Sequence, residues 1–145
     1  MHVPRTCRAI TEGQTLVTAI ESMLVSEAAR LMKKAHVGAI LVVESTRLVG
    51  VFTERDALFR VVAEGRDPTK TVLAEVMTRN PKSIHPDKPF ASALNLMHEG
   101  RFRHVPVVED GRAVGMVSAR DAMGPELEDF MYGLIVEAET RRVLA

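Results

Sequence analysis

The sequence predicts a mixed α/β (α+β) fold: two tandem copies of one helix–strand–turn–strand–helix unit, followed by an amphipathic C-terminal helix. Three observations predict it. The chain repeats itself at an offset of 65 positions, the interval from Asp56 to Asp121. Within each copy, apolar residues pass from helical spacing to short β-branched runs at the same place. At 145 residues the chain suffices for one shared core, whereas either copy alone would bury little, so the copies are expected to pack face to face.

The register of the duplication is continuous. Leu24–Leu58 aligns with Pro89–Met123 without a gap, and about a third of the pairs are identical. They include Ala28/Ala93, Leu31/Leu96, Met32/Met97, Val42/Val107, Val43/Val108 and Glu44/Glu109. Arg47/Arg112, Gly50/Gly115, Arg55/Arg120 and Asp56/Asp121 extend the match into residues that carry chemistry.

Each element follows from its residues. Val25, Ala28, Ala29 and Met32 recur at helical spacing, as do Phe90, Ala93, Leu94 and Met97. Ser22 and Asp87 stand just upstream and are candidate N-caps. The runs Ala39–Val43 and His104–Val108 are continuously apolar or β-branched, as buried strands are. ESTR (Glu44–Arg47) and EDGR (Glu109–Arg112) read as turns, the Asp-Gly pair as a tight hairpin. Second strands follow at Leu48–Phe52 and Ala113–Val117, and second helices begin near Thr53 and Ser118. GRDPTKT (Gly65–Thr71) reads as a linker, and a short helix at Val72–Met77 is stopped by Asn80-Pro81. Beyond Gly124-Pro125, Leu127, Phe130, Met131, Leu134, Ile135 and Ala138 form the apolar stripe of the terminal helix. That stripe is expected to pack on its own protomer or on a twin subunit.

The repeated ends, GVFTERD (Gly50–Asp56) and GMVSARD (Gly115–Asp121), admit two roles. Thr53-x-x-Asp56 and Ser118-x-x-Asp121 have capping-box spacing, although the usual acid there is Glu. Alternatively, a helix N-terminus after a strand suits a phosphate, and the glycines permit close backbone approach. Asp56 and Asp121 would then accept from a ribose diol, as an acid does in dinucleotide folds. Thr53 and Ser118 would donate to ribose or phosphate, while Arg55 and Arg120 neutralise phosphate charge.

The runs EAARLMKKAHVGAILVVE (Glu27–Glu44) and RHVPVVEDGRAVGMVSARD (Arg103–Asp121), closing on G-h-h-[ST]-x-R-D, resemble a tandem pair of cystathionine β-synthase (CBS) domains, a Bateman module. The resemblance covers roughly residues 15–124. It implies two CBS-type β-α-β-β-α repeats packed with pseudo-twofold symmetry: repeat 1 at 10–64, a linker and short helix at 65–76, repeat 2 at 77–124 and the C-terminal helix at 125–145. It also implies an adenosine-nucleotide site and frequent assembly into a disc-shaped homodimer. On the family's pattern the adenine lies between apolar residues near the start of each repeat and at its first strand. Here these are Val17, Thr18, Val37, Gly38, Ala39 and Ile40 in the first copy. In the second they are Ser83, Ile84, Phe102, Arg103, His104, Val105 and Pro106. Pro106 in a strand-like run also implies an edge with backbone groups open to a ligand. Arg101, Arg103 and His104 make the second copy the more basic, where the first has His36, Gly38 and Ala39.

The expected protein is therefore a non-catalytic nucleotide sensor that regulates an unidentified partner. AMP, ADP and ATP lead as ligands; NAD and S-adenosylmethionine share the adenosine portion and rank behind them. The rival is a ligand-free structural or interaction module whose motifs are only helix caps. Lys plus Arg equal Asp plus Glu at 19 each, which argues against broad attraction to nucleic acid or membrane. The lone Cys7 fits a reducing compartment. No run approaches the length of a membrane span, and MHVPRTCRAI lacks a signal-peptide core; a cytoplasmic setting is expected. His2, His36, His85, His98 and His104 show no zinc spacing, so no metal is called for. No nucleophile elbow or Walker loop is present.

Overall fold

The computed structural model describes residues 3–144; His2 and Ala145, the end of the expected terminal helix, lie outside them. The chain runs α1 (Cys7–Thr11), β1 (Thr18–Ala19), α2 (Val25–Ala35), β2 (Ala39–Glu44), β3 (Arg47–Thr53) and α3 (Glu54–Asp56), which continues as a π-helical stretch, Ala57–Val62. Then come α4 (Leu73–Val76), β4 (Thr78–Arg79), α5 (Phe90–Gly100), β5 (His104–Glu109), β6 (Arg112–Ser118), a 3₁₀ turn at Ala119–Asp121 and α6 (Gly124–Leu144).

The repeat seen in sequence is a repeat in space. Both hairpins are antiparallel, and each carries a register shift at the same place, Val42/Val43 and Val107/Val108. The sheet order is β1-β2-β3-β6-β5, with β4 on β3. The two hairpins meet at Arg47 and Arg112, where Ala113 N donates to Thr46 O at 3.0 Å. The Asp-Gly turn has both residues at positive φ, 54° and 79°, the conformation that matches the twist of paired strands.

Core packing crosses the repeats. Ala28, Met32, Ile40, Val42, Phe52 and Val61 form the first core, and Leu73, Val76 and Met77 of the α4 segment complete it. Phe90, Ala93, Met97, Val105, Val107 and Val117 form the second, which is completed by Cys7 of α1. Each short helix thus fills the core of the unit it does not adjoin in the duplication register. Gly50 and Gly115 exist for this exchange: a Cβ at Gly50 would lie 2.7 Å from Met77 Sδ and 2.9 Å from Thr78 O, and one at Gly115 would lie 2.6 Å from Thr11. Their expected role of admitting a ligand is corrected accordingly. The Cys7 thiol is fully buried, and burial pushes its pKa up to about 11.

Three local expectations change. Ser22 and Asp87 do not cap: the N-caps are Leu24 and Pro89, both extended and without side-chain bonds, because backbone bridges to Val72 and Thr6 hold those residues. The region before Asn80-Pro81 is not only helix, since β4 intervenes and pairs with β3. After Ser118 the second late helix shrinks to one 3₁₀ turn.

The terminal helix α6 is present but its stripe is only partly covered: Phe130 and Leu134 are half-buried. Leu127, Met131 and Ile135 are 47%, 54% and 55% exposed, and Tyr132 and Val136 add further apolar surface. It is held by Phe130, edge-on to His98 at 5.6 Å, and by Glu126, its one buried residue. Arg5 Nε donates to Glu126 Oε1 at 2.8 Å, and Arg5 also donates to the Asp121 carbonyl at 2.8 Å. Burial would raise the Glu126 carboxyl, but the Arg5 hydrogen bond and charge hold it below its ordinary value.

Candidate ligand clefts

Each motif begins where a strand runs into a turn. Thr53 and Ser118 are extended N-caps, and each closes a capping box with its aspartate. Thr53 N donates to Asp56 Oδ2 at 3.0 Å, and Ser118 N to Asp121 Oδ2 at 2.8 Å. Glu54 N and Ala119 N are taken by Gly38 O and Arg103 O. The N–H groups expected to meet a phosphate are therefore largely spent inside the protein.

The clefts are built across the repeats. Asp121, Ser118 and Arg120 of the second unit face Val17, Val37, Gly38, Ala39 and Leu41 of the first, in a cavity of about 210 Å³ that includes His104. Thr53, Arg55 and Asp56 of the first unit face Phe102, Arg103 and His104 of the second, in a cavity of about 470 Å³. Arg101 belongs to this second cleft as well. The basic residues that the sequence grouped with Asp121 are thus divided, with Arg101 on the Asp56 side. A third cavity of about 510 Å³ joins the two at Gly38, Ser118, Arg120, Arg103 and Glu54 and adds Lys33 and His36.

Six expected residues line none of these cavities. Ile40, Ile84 and Val105 are core. Thr18 and Ser83 are exposed, next to the lining residues Val17 and Lys82. Pro106 sits on β5, terminal in the sheet order as its missing N–H requires, yet it is buried and its carbonyl accepts from Ile84 N at 3.0 Å. Its backbone is not open to a ligand. The sequence reading also missed Gln14–Leu16, Thr78 and Arg60, which reach the clefts from other elements. Gln14 could have been found from the register, since it aligns with the β4 residue Arg79. Its side chain donates to Met116 O and accepts from Met116 N, both at 2.9 Å, replacing a strand pair.

Charge is uneven. His104 lies at the wall shared by all three cavities. Burial pushes its imidazole below the ordinary value; Glu54 opposes this, Arg120 and Arg103 reinforce it, and Asp121 opposes it. Elsewhere, His85, Asp87 and Glu109 converge with ligand atoms within 4.8 Å of one another, a cluster not foreseen from spacing. Arg8 already lies between its carboxylates, donating to Asp87 at 3.0 Å and Glu109 at 2.8 Å, and His85 Nδ1 accepts from Asp87 N.

Comparison with known proteins agrees with this architecture. The sequence model of the CBS domain matches residues 10–63 and 73–124. The CBS domain-containing protein YhcV of Bacillus subtilis is 38% identical over 106 residues, covering 73% of this chain and 75% of its own. CBSCBSPB2 of Arabidopsis thaliana is 38% identical over 114 residues, 78% of this chain. The chain spans about a fifth of that relative's length. Among solved structures, the CBS domain pair of protein MJ0100, crystallised with 5′-methylthioadenosine and S-adenosyl-L-methionine, superposes with a TM-score of 0.74 at 28% identity, covering 82% of this chain and 93% of that one. With two matched units in sequence, in space and in family pattern, the chain belongs to the CBS-domain family as a tandem pair.

Proposed function

We propose that this chain is a non-catalytic sensor that binds an adenosine-containing nucleotide between its two repeats. The observation that carries this is the juxtaposition of Asp121, Ser118 and Arg120 with the apolar wall Val17, Val37 and Ala39 of the other repeat. An apolar wall suits the face of a base and a few convergent polar groups orient the rest. The adenosine ligands of the MJ0100 pair support the same class. The adjoining cavity offers Lys33, His36, Arg103 and Arg120 against Glu54. This favours AMP, ADP or ATP over NAD and over the cationic S-adenosylmethionine.

Ligand bridging the repeats would shift the population of their packings, provided it binds one arrangement better. We take the functional units as 10–64, 65–76, 77–124 and 125–145. The exposed apolar residues of α6, Leu127, Met131, Tyr132 and Ile135, support homodimer formation, with a regulated protein reading the change. Among the described residues no helix is long and apolar enough to cross a membrane, and the free, buried Cys7 supports a reducing, cytoplasmic setting. Thermal-shift titration with AMP, ADP, ATP, NAD, NADH and S-adenosylmethionine tests the proposal. A saturable rise for one ligand follows from linkage, about 2.7 kcal/mol at a hundredfold excess over Kd. No rise with any of them at millimolar concentration overturns it. The intact capping boxes favour one alternative, a ligand-free interaction module, for which every titration is flat.

A further inference from the structure

The two T/S-x-R-D motifs are alike in sequence but not in what their carboxylates are free to do. Asp56 is 7% exposed. Its Oδ2 accepts from Thr53 N, its Oδ1 accepts from the Thr78 hydroxyl at 3.3 Å, and Arg60 Nε lies 3.6 Å from that same oxygen. Asp121 is half-buried, and its bonds from Ser118 N (2.8 Å) and Ser118 Oγ (3.4 Å) both fall on Oδ2. Among the described residues nothing bonds Oδ1.

The cause lies in two substitutions between the repeats. At the 65-position offset, Thr78 corresponds to Gly13 and Arg60 to Pro125. Glycine has no side chain and proline has no donor. Strand β4 carries Thr78 beside Asp56, and the π-helical stretch after α3 brings Arg60 one turn further on. The second unit has neither: its turn ends at Asp121.

We propose that Thr78 and Arg60 are specificity-determining residues that occupy the Asp56 carboxylate, so that an adenosine ribose is held by Asp121 alone. This rests on the nucleotide-binding function proposed above. A ribose diol brings two O–H donors and is met best by a carboxylate oxygen whose acceptor sites are open, since the group has only about four. Asp121 supplies one without rearrangement. At Asp56 a diol must first displace the Thr78 hydroxyl and compete with Arg60 for a carboxylate that is itself buried, leaving Thr78 without its acceptor.

The test uses adenosine itself, whose lack of phosphate keeps the arginines out of the comparison, with affinity and stoichiometry read by isothermal titration calorimetry. Wild type should bind one adenosine per chain. Asp121→Asn retains an acceptor for Ser118 N, so the cap survives, yet affinity should fall at least about tenfold, as loss of a charge-assisted pair implies. Asp56→Asn should change it less than about threefold. The double variant Thr78→Gly with Arg60→Ala leaves both aspartates in place and should raise the stoichiometry to two. Circular dichroism confirms that each variant is folded. Two adenosines on wild type, or loss of binding in Asp56→Asn with retention in Asp121→Asn, overturns the inference while leaving nucleotide binding intact. No binding of adenosine or of any nucleotide overturns both.

Discussion

Replacing Arg5 by alanine removes the cation that, among the described residues, pairs with Glu126, the single buried residue of α6. Glu126 is 3% exposed and receives Arg5 through a bond of 2.8 Å and a second from the other guanidinium nitrogen. Removing one partner of a buried pair costs about 3–5 kcal/mol, because the remaining charge stays desolvated. The Asp121 carbonyl loses a donor at the same time. Against this, α6 has few other anchors and can lift away to rehydrate Glu126, which places the cost at the lower end, about 3 kcal/mol. For a chain of this length that is a fall in Tm of roughly 6–12 °C. Chemical and thermal denaturation followed by circular dichroism reads it.

The pH dependence separates this account from a simple loss of contacts. In wild type the Glu126 carboxyl is held below its ordinary value. Its contribution is present above the unfolded carboxylate pKa and is lost as pH falls through the lower folded value. In Arg5→Ala only the backbone bonds from Met123 and Glu126 still oppose burial, so the carboxyl moves up relative to wild type and acidification from neutrality towards pH 5 should stabilise the variant relative to wild type. Arg5→Leu with Glu126→Leu should recover to within about 1 kcal/mol of wild type, since an apolar pair replaces an ionic one with little loss. A cost below about 1 kcal/mol for Arg5→Ala, or a pH slope parallel to wild type, refutes the reasoning.

Further outcomes follow from the same physical terms. Gly50→Ala forces a methyl against Met77 Sδ and the Thr78 carbonyl and should cost about 1–3 kcal/mol in urea denaturation. Gly133→Ala, with nothing within 4 Å of its Cβ, should instead gain about 0.5–1 kcal/mol as a helix-interior substitution. His104, whose burial lowers its pKa, is neutral in the folded protein in part of the range below its ordinary value, where the unfolded chain is protonated. Stability should therefore decline as pH falls from 6.5 and level off below the folded value. A phosphate beside it draws its pKa back up, so nucleotide binding should take up a proton in that window; calorimetry in buffers of different ionisation enthalpy measures this, and His104→Gln should abolish it.

Much of the fold was legible because the duplication states it twice. Where both copies carry the same apolar spacing, as in Ala28/Ala93 and Met32/Met97, helix and core face follow directly, and the hairpins follow from β-branched runs around short turns. What escaped was tertiary exchange. Nothing local to Cys7 says that it fills the second core, or to Leu73 that it fills the first. Close approach can be inferred from the glycines at 50 and 115, but the approaching group, Met77 and Thr78 in one case and Thr11 in the other, cannot. Likewise Ser22 and Asp87 are good cap residues overruled by backbone bridges from distant segments. In the clefts, the acid, hydroxyl and arginine of each motif were visible. Their crossed pairing and the Thr78 bond to Asp56 were not, since both depend on how β4 and the opposite repeat are placed.

The crossed placement of α1 and α4 has a consequence for how such a chain can be divided. Cut between the repeats, the N-terminal half would keep α1 with no core to fill and lose Leu73 and Val76, while the C-terminal half would lose Cys7 and keep an idle α4. Neither fragment contains a finished interior. The smallest self-sufficient piece is the clasped pair, so a protease nick in 65–70 should leave the halves bound to each other, and an ancestor with one copy would have needed a twin molecule to lend it the missing segment.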